Sequence, residues 1–193
     1  MTVTDTMVAR ATRERILNAA FEAVADFGLS RLTMEDVATR AECSRQTLYR
    51  YFPARDDLLS ALVLREEERL LDGVRGILET NGDLRGGVRA AVAFVLTSAR
   101  EHPLLDRLLR TDPAILLPYL TVRSGPVVSR AREVLIGVLA EREPQPDPAA
   151  LEAVADAAAR LLLSHILNPT EHPDAVAEAL ADILVRALTR REP

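Results

Sequence analysis

The stretch TMEDVATRAECSRQTLYRYFPARDDL, residues 33–58, decides the fold of this chain. It reads as two short helices joined by a tight turn. The Thr33 hydroxyl can cap the first helix, with Asp36 at the reciprocal position of a capping box. A turn of Ala41, Glu42 and Cys43 leads to Ser44, a second good cap. The helix it opens carries Arg45 to Tyr51 and stops at Phe52-Pro53, because the residue before a proline is pushed out of helical geometry. Val37 and Ala38 on the first helix and Leu48 on the second form the inward side, and small Ala38 allows a close crossing. The second helix then exposes Arg45, Gln46, Thr47, Tyr49 and Arg50. This is a helix-turn-helix, whose second helix presents its N-terminal end to base edges in the major groove.

Outward from this unit the pattern stays helical, with no convincing strand alternation. A preceding helix of about residues 10–26 places Ile16, Ala20, Phe21, Val24 and Phe27 on one stripe, with Gly28 as a left-handed stop. A long helix opens at Arg55-Asp56-Asp57 and runs towards Leu78. Another covers about residues 84–100, with Val88, Val92, Val95 and Ala99 inward. Pro103, Pro113, Pro118 and Pro126 predict short helices between 102 and 126. A helix over about 127–142 precedes a proline-rich linker, Glu143 to Pro148. Two final helices follow, at about 148–167 and 173–191.

The residue types on the second helix suit DNA. Arg45 can bond a guanine edge bidentately, Gln46 an adenine edge, and the Thr47 methyl can meet the thymine methyl. Thr33, Tyr49, Tyr51 and Arg55 suit phosphates, which fix position rather than sequence. Ser44 and Arg50 complete the expected contact set. The net charge of −5 counts at first against nucleic acid. Residues 40–55, however, hold Arg40, Arg45, Arg50 and Arg55 against Glu42 alone. A small basic face on an acidic body fits a site-specific binder rather than a general nucleic-acid coat.

Other classes find little support. All 24 basic residues are arginine, which carries no functional weight by itself. Cys43 is the single cysteine, which excludes an intramolecular disulfide and points to a reducing compartment. No signal-peptide layout or membrane-length apolar run appears, so a cytoplasmic protein without membrane contact is expected. His102, His165 and His172 lack metal-ligand spacing. Ser164 and His165 are adjacent on a helix and face different ways, which makes no nucleophile–base pair. There is no glycine-rich phosphate loop. No catalytic residue, metal or cofactor is expected.

Residues 10–60, and above all the TLYRYFP run at Thr47–Pro53, resemble the DNA-binding domain of the tetracycline-repressor (TetR) family. The resemblance implies an all-α protein with a three-helix helix-turn-helix DNA-binding domain (9–58) and a helical effector-binding and dimerisation domain (59–193). It implies a repressor that binds a palindromic operator in double-stranded DNA as a homodimer and responds to a small molecule. Two positions depart from the family. Glu42 stands where such proteins usually have Gly, at a cost of around 1 kcal/mol if the backbone is left-handed. Arg50 replaces a frequent His.

In the C-terminal body, Leu151, Val154, Ala158, Leu161 and Leu162, then Val176, Leu180, Ile183, Leu184 and Ala187, form two apolar stripes with interspersed alanines. They are the candidate dimer face, two helices from each copy making a four-helix bundle. They could equally close the protomer's own core. Candidate effector-pocket residues are Val92, Val95, Leu96, Leu105, Leu109, Leu116 and Leu120, with Arg107, Tyr119 or His165 as polar contacts; their character implies an apolar or amphipathic effector. A rival reading is a helical small-molecule-binding or scaffolding protein with a vestigial helix-turn-helix, supported by Glu42 and the acidic balance.

Overall fold

Gly28 ends the first helix as its sequence requires. In the computed structural model, which describes residues 3–102, 104–142 and 146–189, α1 spans Val3–Phe27 and Gly28 takes φ +82°, a left-handed geometry that only glycine adopts freely. Its N–H closes on the Val24 carbonyl at 2.9 Å. Then follow α2 (Met34–Arg40), α3 (Arg45–Tyr51) and the long α4 (Arg55–Thr80). Next come α5 (Leu84–Glu101), α6 (Leu105–Thr111), α7 (Pro113–Leu120), α8 (Gly125–Leu139), α9 (Pro148–Leu167) and α10 (Pro173–Thr189). The described residues contain no strand. Helices α6 and α7 are short, seven and eight residues, as expected; Pro113 opens α7 directly after α6, and Pro118 lies inside it. The linker residues Glu143 to Gln145 and the side chain of Arg107 lie outside the described residues.

The chain divides into two compact units. The first holds residues 1–66 together with 103–119, so α6 and most of α7 belong with the helix-turn-helix although they come late in sequence. Its core is Ile16, Leu17, Ala20, Ala23, Val24, Val37, Leu48 and Leu58, none of them exposed at all. Phe27, expected on the inner stripe, lies instead half in solvent under the Arg40 guanidinium, 5.7 Å away. Among the described residues Arg65 is the buried charge of this unit. It donates to Asn18 Oδ1 and Glu66 Oε1, both at 2.7 Å, and sits over the Phe21 ring, so its charge is paired where it is desolvated.

The second unit holds residues 67–102 and 120–193. Asp83 and Asp147 cap α5 and α9 by accepting from the N–H groups of Gly86 (2.6 Å) and Ala150 (2.8 Å). Gly87, Ala91, Ala177 and Ala181 are all buried and small, which suits the close packing of α5 on α10. A Cβ on Gly73 would overlap the Phe94 ring, so glycine there lets α5 approach α4. Leu151, Val154, Ala158, Val176, Leu180 and Leu184 belong to the core of this unit. That corrects their assignment to a dimer face: alanine-rich helices are apolar on two sides, and the bulkier side turned inward. Leu161, Ile183 and Ala187 are exposed, and Leu162 is half-buried.

Glu67 is an unforeseen buried acid on α4. Neither carboxylate oxygen has a hydrogen-bond partner, and the Arg130 Nε of α8 stands 3.9 Å from Oε2. Burial pushes its pKa up to about 7, with Arg130 opposing and neighbouring Glu68 adding to the rise. The native state therefore holds this proton more tightly than the unfolded chain. Burying Glu67 costs nothing well below pH 4.5, and the cost grows as pH climbs towards 7. Glu67→Gln is expected to raise stability by about 1–2 kcal/mol at pH 8, solvent screening having reduced the full value of the shift. The gain should shrink towards pH 5. Urea unfolding at the two pH values checks this, and an equal difference at both would contradict it.

Candidate nucleic-acid interface

Helix α2 starts at Thr33, whose hydroxyl accepts from the Asp36 N–H at 3.1 Å and donates to the Asp36 carboxylate at 2.5 Å. It ends in a left-handed turn: Glu42 takes φ +49°, its N–H bonds the Thr39 carbonyl at 3.1 Å, and the Cys43 N–H reaches the Ala38 carbonyl at 3.0 Å. This is a Schellman motif with glutamate where glycine is usual, and it carries a strain of about 1 kcal/mol. The Glu42 side chain is exposed. Ser44 then caps α3, accepting from the Thr47 N–H at 3.0 Å while the two hydroxyls pair at 2.9 Å.

Leu48 alone of α3 is buried, and it anchors that helix. Arg45, Gln46, Tyr49 and Arg50 are exposed and Thr47 is half-buried, so the expected reading residues share the accessible side of α3. Tyr51 is half-buried with the Arg50 guanidinium 5.5 Å over its ring. Phe52 is core, with Arg13 stacked 5.4 Å from its centroid. Arg45 is not idle: it pairs with Glu35 of α2, both side chains about two-thirds exposed. Sequence alone did not reveal this partner, because ten residues and a turn separate the two.

The basic patch is smaller than composition implied. Arg40 folds back on α1, 2.7 Å from Asp26 and 3.6 Å from Glu22. Arg55, expected on a phosphate, instead donates from Nε to the Leu32 carbonyl at 3.1 Å and from Nη2 to the Leu29 carbonyl. The cause is plain: the loop after α1 leaves carbonyls without helical partners, and the half-buried guanidinium of Arg55 satisfies them. The start of α4 is likewise occupied, the Ala54 N–H donating to Asp57 at 2.9 Å. Arg45, paired with Glu35, and Arg50 are the two of the four that α3 carries on its exposed side.

The expected effector residues divide between the units. Leu105, Leu109, Leu116 and Tyr119 lie in the first, the last two buried. Val92, Val95, Leu96, Leu120 and His165 lie in the second. There Val92 and Val95 line an apolar cavity of about 40 Å³ with Leu78, Leu139, Val154 and Leu184. That is room for little more than a water, and an apolar lining of this kind stays dry. A larger open cleft of about 690 Å³ along α4 and α8 has a mixed lining, with Arg75, Glu79, Glu133 and Arg142 beside Val134 and Val138. Among the described residues no helix is long and apolar enough to cross a membrane.

Comparison with known proteins agrees with this geometry. Residues 16–62 match the model for bacterial regulatory proteins of the tetR family, and residues 83–186 match that for the C-terminal domain of the bacterial tetracyclin repressor. The HTH-type transcriptional regulator AlkX of Mycobacterium tuberculosis is 29% identical over 182 residues, covering 91% of this chain and 86% of its own. The crystal structure of the TetR family repressor AlkX from Dietzia sp. strain DQ12-45-1b, implicated in biodegradation of n-alkanes, superposes with a TM-score of 0.79 at 29% identity. It covers 91% of this chain and 94% of that one. RolR, solved with resorcinol, shares the fold at a TM-score of 0.66 and 16% identity, over 97% of this chain and 98% of its own.

Proposed function

The chain belongs to the TetR family of helix-turn-helix transcriptional regulators, and from that premise we propose that it is a homodimeric repressor reading a palindromic operator through α3 and released by a small apolar or amphipathic effector. The observation that carries the DNA reading is the division of α3: Leu48 is wholly buried while Arg45, Gln46, Tyr49 and Arg50 face solvent together. In this reading Arg45 takes a guanine, Gln46 an adenine and the Thr47 methyl a thymine, its hydroxyl being occupied by Ser44. Tyr49, Tyr51 and Arg50 meet phosphates, and Thr33 and Ser44 contribute through the helix starts they cap.

Dimerisation draws on what the second unit leaves exposed. Ala153, Ala157 and Leu161 recur every four residues along α9, and Ala175, Ala179, Ile183 and Ala187 do so along α10. Small side chains let two such helices from each copy meet closely around a two-fold axis. The two recognition helices then address half-sites about one helical turn, or a multiple, apart. An apolar effector fits the n-alkane context of the Dietzia relative.

The test is Arg45→Ala on a duplex selected by the wild-type protein from random sequence. Affinity should fall by about 1–3 kcal/mol, with discrimination lost at one base pair per half-site. Binding that weakens equally on every sequence would make Arg45 a phosphate contact and contradict the assignment.

A further inference from the structure

We infer that Asp112, outside the helix-turn-helix in sequence, is a positioning residue for DNA binding. The loop at residues 28–32 hands α1 over to Thr33, the cap that starts α2. Its backbone groups are claimed from two sides. Arg55 of α4 takes the carbonyls of Leu29 and Leu32. Asp112 takes an N–H group: that of Leu29 donates to Oδ2 at 3.2 Å. Gly28 makes room for this, since a Cβ there would stand 2.9 Å from Oδ2.

Asp112 is itself tied at the corner of two helices. Its N–H closes α6 on the Leu108 carbonyl at 2.9 Å, and its carbonyl accepts from Ile115 at 3.1 Å at the start of α7. Thr111 adds a hydroxyl donor at 3.1 Å. Burial works against its charge, but these donors outweigh it and hold the carboxyl below its usual range. The corner thus grips the loop with a charged acceptor, and the loop sets where α2 begins. The tight turn at Ala41–Cys43 fixes α3 to α2, so the grip extends to the aim of Arg45 and Gln46.

The inference rests on the reading of α3 as the DNA-binding helix, and its test separates the two. Asp112→Ala is expected to bind the wild-type-selected duplex about tenfold more weakly, with little change on a scrambled duplex, because hydrogen bonds to a charged acceptor are lost while the outward cations remain. Hydrogen exchange at the Leu29 amide should quicken. Asp112→Asn, which keeps a carbonyl oxygen for those donors, should recover most of the affinity. If Asp112→Ala does not fold, Asp112→Asn carries the test, with quicker exchange at the Leu29 amide and selected-duplex binding two- to threefold weaker. Full affinity in Asp112→Ala, equal loss on both duplexes, or no recovery in Asp112→Asn overturns the assignment. A wild type that selects no duplex overturns the DNA reading and this assignment with it.

Discussion

Ile183→Glu is expected to split the dimer into monomers and weaken operator binding on the order of a thousandfold. Ile183 is 59% exposed on α10 of the protomer, so the substitution leaves the protomer's own core intact. Its neighbours one turn either way on the same face are Ala179 and Ala187, also exposed. At a two-fold interface the change is made twice, and each carboxylate must be desolvated in a close-packed seam of small apolar side chains, at several kcal/mol apiece. A monomer then reads one half-site and loses the gain from joining two. Sedimentation equilibrium and operator titration report the two effects, with circular dichroism showing a folded chain. A variant that stays dimeric would place the dimer face elsewhere than on α10.

The next largest effect is expected at Leu48. It is fully buried and is the sole inward side chain of α3. Leu48→Ala removes its packing and leaves a cavity between α3 and the rest of the first unit, at a cost of about 2–5 kcal/mol. Against a domain stability of about 5–15 kcal/mol this is a large fraction. Tyr49→Ala, one residue along and 48% exposed, should change stability by only about 0.5 kcal/mol while still weakening DNA binding. Thermal unfolding and operator binding on the two variants separate anchoring from contact. Equal stability losses would mean that α3 is docked through both residues.

The helix-turn-helix was legible because its signals are local. Thr33 and Ser44 cap within three residues of their partners, Gly28 turns the chain where φ is positive, and Phe52-Pro53 ends α3. The inner and outer sides of α3 followed from one leucine among polar neighbours. What was not legible depends on contacts distant in sequence. Arg40 and Arg55 looked like free cations until α1 and the loop after it claimed them. Asp112 sits 83 residues from the Leu29 amide it accepts from, and no local pattern marks it. The facing of α9 and α10 was ambiguous for a different reason. With alanine on both sides of each helix, periodicity cannot tell the protomer core from a face kept for a second copy, and larger residues such as Leu151 and Leu180 went inward.

The central claim is that the start of α3 reads base sequence in duplex DNA. Selection from a random duplex library at about physiological salt, where screening suppresses purely electrostatic binding, tests it most directly. Run in parallel with wild type and Arg45→Ala, it should yield a palindromic consensus from the wild type, and from the variant the same consensus with information lost at one symmetric pair of positions. No enrichment by the wild type, or an identical consensus from the two proteins, would contradict the account.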